Sequence, residues 1–243
     1  MDVAESAPAP KRRLPLTRER VLRAALALAD ERGIEALTMR NLGQELGVEA
    51  MSLYNHVSNK ADVLDGILEL VAGEVMAAVE QVDPPATPAD WKPVARTRIL
   101  AARDVLLRHR WAPSLLEASK DIPPSLLGYF DSLIALMRGA GFSLDLAHHA
   151  LHALGSRALG FTQELFTTED DDLSPEASAV MIQQMAGPYP NLADLLRIVV
   201  HDPASMLGRP GGCDDQFEFE FGLDLLLDGL DRLREQAWEL PAA

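Results

Sequence analysis

The chain has 243 residues, of which 48% are hydrophobic and 24% are charged, as in an ordinary globular protein. No apolar run approaches the roughly 20 residues that a membrane-spanning helix requires, so we expect no membrane partner. The single cysteine, Cys213, excludes a disulfide within the chain and fits a reducing cytoplasm, where we expect the protein to work. The net charge of −15 argues at first against a nucleic-acid partner.

The first segment, residues 1–14, is predicted to be a disordered basic arm. Residues 1–10 are rich in alanine and proline, and the basic run Lys11, Arg12, Arg13 follows them. This run can reach DNA phosphates or the minor groove, or it can be a solubilising tail, and the sequence favours both equally. A first helix then begins after Thr17, whose hydroxyl can cap it, and ends at Gly33.

Residues 37–67, LTMRNLGQELGVEAMSLYNHVSNKADVLDGI, predict two short helices, a tight turn between them, and a third helix. Thr38 can cap a helix over residues 39–46, and Gly47 can supply the left-handed residue that ends it. A second short helix fits residues 49–56, and Ser58 or Asn59 can cap a longer one over residues 60–79. This spacing is typical of the helix-turn-helix, whose second helix lies in the major groove of DNA. The apolar positions expected to fix these helices are Leu42, Leu46, Val48, Leu53, Val57 and Leu64.

The distribution of charge supports a DNA-binding head. Residues 11–60 carry nine Lys or Arg and six Asp or Glu, a net charge of +3. Residues 61–243 carry thirteen against twenty-nine, a net charge of −16. Because phosphate binding requires only a local basic face, an acidic remainder would repel DNA from the wrong side.

After a proline-rich break at residues 83–93, the periodicity is helical throughout, so the fold class is all-α. The FEFEF run at residues 217–221 alternates too briefly to predict a strand. The expected helices of this larger body cover residues 91–107, 113–118, 123–140, 143–165, 174–185, 191–200 and 214–236.

The segment GVEAMSLYNHVSNKADVLDGI, with its Leu-Tyr-x-His-Val-x-Asn-Lys core at residues 53–60, resembles the signature of the tetracycline-repressor (TetR) family. GIEALTMRNLGQELGV at residues 33–48 is similar to the same family. GFSLDLAHHALHALGSRALGFTQELF at residues 141–166 and FEFEFGLDLLLDGLDRL near the end look like the C-terminal domain of the tetracycline-repressor subgroup. The resemblance implies a DNA-binding domain with its connecting helix over residues 15–80 and a ligand-binding and dimerisation domain over residues 81–243. It also implies a homodimer that reads a palindrome.

The predicted DNA contacts lie on the second short helix and its neighbours. Ser52 and Asn55 can donate and accept at base edges, and Met51 can touch a thymine methyl group. Lys60 starts the following helix, where its charge and nearby N–H groups favour a phosphate. The resemblance assigns phosphate contacts to Tyr54 and His56, and backbone or base contacts to Thr38 and Arg40. The full predicted set is Thr38, Arg40, Ala50, Met51, Ser52, Tyr54, Asn55, His56 and Lys60.

The ligand contacts follow from the resemblance alone. In tetracycline-binding members two histidines hold a magnesium–drug chelate, and Met76 and Leu116 occupy their positions here. Neither side chain ligates magnesium, so we expect no metal, no cofactor and a ligand other than tetracycline. Glu164 matches the family's acidic residue near the metal. The other predicted wall residues are Phe130, Leu133, Ile134, His148, Leu151 and Gly155.

Two further patterns in the body each allow two interpretations. His148 and His152 share a helical face, which is typical of a structural or pocket-lining pair more often than of a metal site. The stripe Leu223, Leu226, Leu227 and Leu230, together with Gly155 and Gly160, fits either a bundle between two subunits or internal core packing.

These features predict a transcription regulator, most simply a repressor that a small hydrophobic effector releases from a palindromic operator. No catalytic triad, phosphate loop or paired carboxylates point to an enzyme. The alternative is a helical adaptor that binds only protein, which would show no salt-dependent affinity for DNA.

Overall fold

The computed structural model describes residues 15–160, 175–201 and 215–239, and within these ranges every regular element is a helix. The described residues form two compact units. Residues 15–81 and 101–129 make the first unit, and the remaining described residues make the second. The predicted DNA-binding domain, residues 15–80, ends one residue before the first segment of this unit does. The second segment, residues 101–129, falls within the predicted ligand-binding domain but belongs to the same compact unit.

The first unit contains α1 (Arg18–Arg32), α2 (Met39–Leu46), α3 (Ala50–Leu53) and α4 (Lys60–Glu80), followed by part of α5 (Trp91–Arg108), α6 (Ala112–Ala118) and part of α7 (Pro124–Gly139). The two predicted threonine caps are present. The side-chain oxygen of Thr17 accepts the N–H of Arg20 at the start of α1, and that of Thr38 accepts the N–H of Asn41 at the start of α2. At the start of α4, Asn59 rather than Ser58 accepts the N–H of Asp62. Gly47 ends α2 at φ 66°, a conformation that costs side-chain-bearing residues energy.

The second short helix is shorter than predicted. A helix over residues 49–56 is wrong as a description, because α3 stops at Leu53 and residues 54–56 form tight turns. The N–H groups of Tyr54 and His56 bond to the carbonyls three residues earlier, at 3.3 Å and 2.8 Å. This tighter winding is common where a helix ends.

The core of the first unit joins α1 to the helix-turn-helix. Leu42, Leu53 and Val57 are buried as predicted, whereas Leu46, Val48 and Leu64 are partly buried against the same cluster. The central members contributed by α1 and α4 are Val21, Ala25, Leu28, Val63 and Ile67. Packing these side chains against the buried side of α2 and α3 fixes the orientation of two helices that are too short to be stable alone.

The second unit contains the other parts of α5 and α7, with α8 (Leu144–Gly160), α9 (Pro175–Met185), α10 (Pro190–His201) and α11 (Asp215–Glu235). These bounds agree with the predicted helices to within one or two residues, except that residues 161–165 lie outside the described ranges. Its core is built mainly from α5, α7, α8 and α11, around Trp91, Phe142 and Phe219. The FEFEF run belongs to α11, where Phe219 faces the core and Phe217 and Phe221 face solvent.

Ion pairs join α5 to α11 along one side of this core. Arg96 lies 2.6 Å from Asp224 and 2.7 Å from Glu220, and Lys92 lies 2.7 Å from Asp228. The indole N–H of Trp91 donates to Asp231 at 3.0 Å. These pairs match opposite charges along two helices that also share apolar packing, and because the pairs are partly exposed each contributes little stability.

Candidate DNA-binding surface

The turn between α2 and α3 depends on a close backbone approach at Gly43. A Cβ atom at this position would lie 3.0 Å from the carbonyl oxygen of Val48 and 3.2 Å from the Cα of Ala50. Glycine is therefore required here for packing rather than for an unusual φ. The approach holds the start of α3 close against α2.

The two sides of α3 differ sharply. Leu53 is fully buried beneath it, whereas Met51 is 75% exposed and Tyr54 and Asn55 also face solvent. Ala50, Ser52 and His56 are half-buried at the margin of this face. An exposed methionine beside an exposed tyrosine and asparagine offers both apolar and hydrogen-bonding contacts to base edges and phosphates.

The remaining predicted contacts come from the starts of α2 and α4. Thr38 and Arg40 are exposed at the start of α2, and the Thr38 hydroxyl oxygen accepts the N–H of Asn41 at 3.1 Å. Its hydroxyl proton stays available to a phosphate oxygen. Lys60 is exposed in the first turn of α4, where the helix dipole favours an anion.

A cluster around Asp62, which the sequence analysis missed, holds the start of α4 in place. The guanidinium of Arg18 donates to both carboxylate oxygens of Asp62, at 2.6 Å and 2.9 Å, and the N–H of Ser58 donates at 2.7 Å. The Arg18 bonds, with that from Ser58, lower the pKa of Asp62 from 3.8 to about 2. The available signal was an acidic residue three positions after the Asn59 cap, whereas its partner Arg18 lies 44 residues away.

The predicted ligand residues fall in both units. Met76 and Leu116 are half-buried in the first unit. In the second unit Leu133 is buried, Phe130, Ile134, Leu151 and Gly155 are half-buried, and His148 is exposed. Glu164 lies outside the described residues. These assignments remain predictions.

The histidines of α8 lie on its solvent side. The ring centroids of His148 and His152 are 4.6 Å apart, and His149 lies 5.5 Å from the ring of Trp238. Within the described ranges, no three His, Cys, Asp or Glu side chains are grouped as metal ligands would be.

The leucine stripe of α11 is part of the chain's own core. Leu223, Leu227 and Leu230 are buried against α8 and α5, and Leu226 is partly buried. The internal interpretation therefore describes Leu223 and Leu227, whereas Leu226 and Leu230 also line an apolar groove between α8 and α11. A different apolar row, Phe217, Phe221 and Leu225, faces solvent on the same helix.

Comparison with known families identifies both parts of the chain. A family model described as tetracyclin repressor-like, C-terminal domain, matches residues 84–234. A second, described as bacterial regulatory proteins, tetR family, matches residues 21–67 and so covers the helix-turn-helix. The chain belongs to the TetR family.

Individual TetR relatives span nearly the whole chain. The tetracycline repressor protein class D of Escherichia coli is 31% identical over 218 residues, covering 89% of each protein. A possible TetR family transcriptional regulator from Streptomyces coelicolor A3(2) is 30% identical, with a TM-score of 0.68 and coverage of 89% of this chain and 99% of that one. The TetR family protein ActR of Streptomyces coelicolor, solved with actinorhodin, is 25% identical, with a TM-score of 0.64 and coverage of 90% and 98%.

The TetR assignment makes the protein a transcription regulator with a DNA-binding helix-turn-helix, and not an enzyme. Across the parts of the chain that the structure describes, no helix has the length and apolarity needed to cross a membrane.

Proposed function

We propose that the protein is a homodimeric repressor that binds a palindromic operator and is released from it by a small-molecule effector. The observation that carries this proposal is the exposed side of α3, where Met51, Tyr54 and Asn55 stand over a buried Leu53. Covering large exposed apolar groups on a DNA-binding element removes them from water, and this stabilises the complex with the partner that covers them.

In the proposed complex α3 lies in the major groove. Asn55 and Ser52 bond to base edges and Met51 contacts a thymine methyl group, which supplies sequence specificity. Tyr54 and Lys60 bind phosphates, which fixes the register without reading sequence. His56, Thr38, Arg40 and Ala50 complete the proposed contact surface, and the basic arm of residues 1–14 adds phosphate contacts.

The homodimer is proposed because one four-residue helix reads too few bases for strong specificity, whereas a two-fold axis doubles the site.

The apolar groove between α8 and α11 also supports the homodimer. The groove has a volume of about 370 Å³ and is lined by residues that include Ala153, Leu225, Gly229 and Trp238. A second copy that packed its own α8 and α11 here would form a four-helix bundle and cover the exposed Leu225 and Phe221.

Effector control is proposed because a close relative in sequence is a tetracycline repressor and a structural neighbour was solved with actinorhodin. Met76 and Leu116 lack groups that ligate magnesium, so the effector is proposed to bind without it. The helix α4 carries Lys60 at one end and Met76 near the other, so a shift of this helix would move a phosphate contact. Effector and operator affinities must then change by the same factor. A regulator of this kind works in the cytoplasm, where it meets DNA.

Selection from a pool of random duplex DNA at two salt concentrations tests the proposal. We expect enrichment of a palindrome whose half-sites are centred about 34 Å apart, one turn of DNA. Lys60→Ala should weaken binding to all sequences and reduce the salt dependence by about one released ion per half-site. Tyr54→Phe, which keeps the ring and removes the hydroxyl, should also weaken binding to all sequences, but it should leave the salt dependence unchanged because the hydroxyl is uncharged. Asn55→Ala should instead relax the preference at one base pair in each half-site.

Lys120→Ala is the matched control, because Lys120 is exposed in the loop after α6 and belongs to the same unit. This substitution should leave both the affinity and the salt dependence unchanged. If folded wild-type protein enriches no sequence and binds no DNA even at low salt, the repressor proposal is wrong. The protein-binding adaptor then becomes the better explanation. Enrichment of a single half-site would count against the homodimer alone.

A further inference from the structure

A cavity of about 480 Å³ lies in the second unit, between the proline-rich segment before α5 and the helices α5 and α7. Its walls are mostly apolar, from Pro85, Trp91, Ala135 and Leu136. The helix α7 faces this cavity with Ser132, Ala135 and Leu136, not with the Phe130, Leu133 and Ile134 that the family resemblance assigns to a ligand. The volume is in the range of small-molecule sites.

Arg98 of α5 is the charged residue in this wall. Its Nη1 donates to the carbonyl oxygen of Ser132 at 3.5 Å, which is a long bond. Its Nε is buried and has no hydrogen-bond partner. Among the described residues, no carboxylate lies within ion-pair distance of its guanidinium, although an arginine keeps its charge in any protein environment.

The other polar groups near this cavity are already occupied. Asp90, within the proline-rich segment, accepts the N–H and the hydroxyl of Thr87, both at 2.8 Å. The indole N–H of Trp91 donates to Asp231, so Trp91 offers the cavity its ring only. By contrast, Arg96 on the same helix is paired with two carboxylates. Arg98 is half-buried, but its Nε is fully buried without a hydrogen-bond partner at the wall of this apolar cavity, an arrangement that favours an anionic ligand.

We infer that this cavity binds an apolar, ring-containing carboxylic acid, with its carboxylate on Arg98 and its ring system against Trp91 and Leu136. A guanidinium fork matches a carboxylate in two parallel hydrogen bonds, and such charge-assisted bonds are roughly twice as strong as bonds between neutral groups. The inference goes beyond the proposed function, because the residues that line this cavity include none of the predicted effector contacts, such as Met76 and Leu116; it names a ligand for a second site.

Paired probes test the role of the carboxylate. 2-Naphthoic acid and 9-anthracenecarboxylic acid are each titrated against the neutral amide of the same ring system, by calorimetry and by tryptophan fluorescence, without DNA. Wild-type protein should bind at least one acid about tenfold more tightly than its amide, the difference expected from a charge-assisted pair. Arg98→Met, which keeps the length and removes the charge, should abolish this preference. Arg98→Lys should retain part of it.

Arg96→Met is the control, since it removes the same charge from the same helix outside the cavity. It should keep the preference for the acid, and thermal unfolding of each variant shows that it is folded. No binding of any probe, equal binding of acid and amide, or a preference that survives in Arg98→Met would overturn the inference. Operator binding is measured separately. Intact DNA binding without acid preference refutes this site alone, whereas acid preference without DNA binding refutes the repressor proposal.

Discussion

Nδ1 of His109 lies 2.8 Å from Oδ1 of Asp30, a residue 79 positions earlier in the chain. The same oxygen accepts the indole N–H of Trp111 at 2.7 Å, and Nε2 of His109 lies 3.3 Å from Glu74. This cluster joins α1, α4 and the end of α5 within the first unit. A neutral imidazole can donate to only one of the two carboxylates, whereas an imidazolium donates to both. Burial raises the pKa of Glu74, but hydrogen bonds from His109 and Arg108 outweigh it and leave that pKa below its usual value.

His109→Phe should lower the free energy of unfolding by about 1–3 kcal/mol, because it fills the space of a 6% exposed ring and removes both nitrogen partners of the carboxylates. Urea unfolding at neutral pH measures the change. Glu19→Gln is the control, because its ion pair with Arg23 is about 70% exposed on both sides and should be worth less than about 0.5 kcal/mol. Equal effects of the two substitutions would show that the buried cluster around His109 stabilises the fold no more than an exposed ion pair does.

Gly43→Ala should destabilise the protein by about 1–3 kcal/mol and weaken DNA binding, because its Cβ would press on the backbone of Val48 and Ala50. Gly43→Val should have a larger effect on both quantities. Gly73→Ala, within α4, is the matched control. Its Cβ would make only an ordinary contact, 3.9 Å from the hydroxyl oxygen of Ser125 on α7, so it should stabilise by about 0.5–1 kcal/mol. The free energy of unfolding and the affinity for DNA, measured for all three variants, test this prediction. A Gly43→Ala variant as stable as Gly73→Ala would contradict the close approach.

Local chemistry explains how much of this fold can be predicted from the sequence. Caps such as Thr17 and Thr38, and the left-handed Gly47, act through atoms within a few residues, so they are visible in the sequence. The end of α3 at Leu53 is less visible, because it reflects a change to tighter hydrogen bonds that no single residue type marks.

Contacts between residues that are far apart in the sequence limit how much of the candidate sites can be predicted from it. Arg18 and Asp62 are 44 residues apart, and the orientation of Arg98 toward a cavity depends on how α5 packs on α7. Periodicity identified the apolar stripe of α11 but could not decide whether Leu223 packs within the chain or against a partner. The predicted DNA contacts at Tyr54 and His56 came from family resemblance, since periodicity alone gives only their exposure.

The Arg18–Asp62 pair should make stability depend on pH between about 4 and 2. Because the folded-state pKa of Asp62 is lowered from 3.8 to about 2, its contribution is present above pH 3.8 and is lost as the pH falls through 2. Solvent screening limits this contribution to about 1 kcal/mol, since Arg18 is half-exposed. Unfolding free energies of wild-type and Asp62→Asn should differ at pH 5 and converge toward pH 2. Asp65→Asn, an exposed carboxylate on the same helix, should show no such convergence. A constant Asp62→Asn difference across this range would rule out the linkage.

Leu225→Glu should convert the proposed dimer into a folded monomer. Leu225 is 58% exposed and continues the row of Phe217 and Phe221, whose rings stack at 6.4 Å, so a charge here costs the single chain little. In a dimer, two glutamates would be buried near the two-fold axis against apolar groove walls, which is strongly unfavourable. Sedimentation velocity gives the mass, and affinity for the palindrome should fall together with it because each half-site is then bound alone. Leu127→Glu, at a leucine of the first unit that is 51% exposed, should leave the mass unchanged. A Leu225→Glu variant that sediments as a dimer would place the subunit interface on another face.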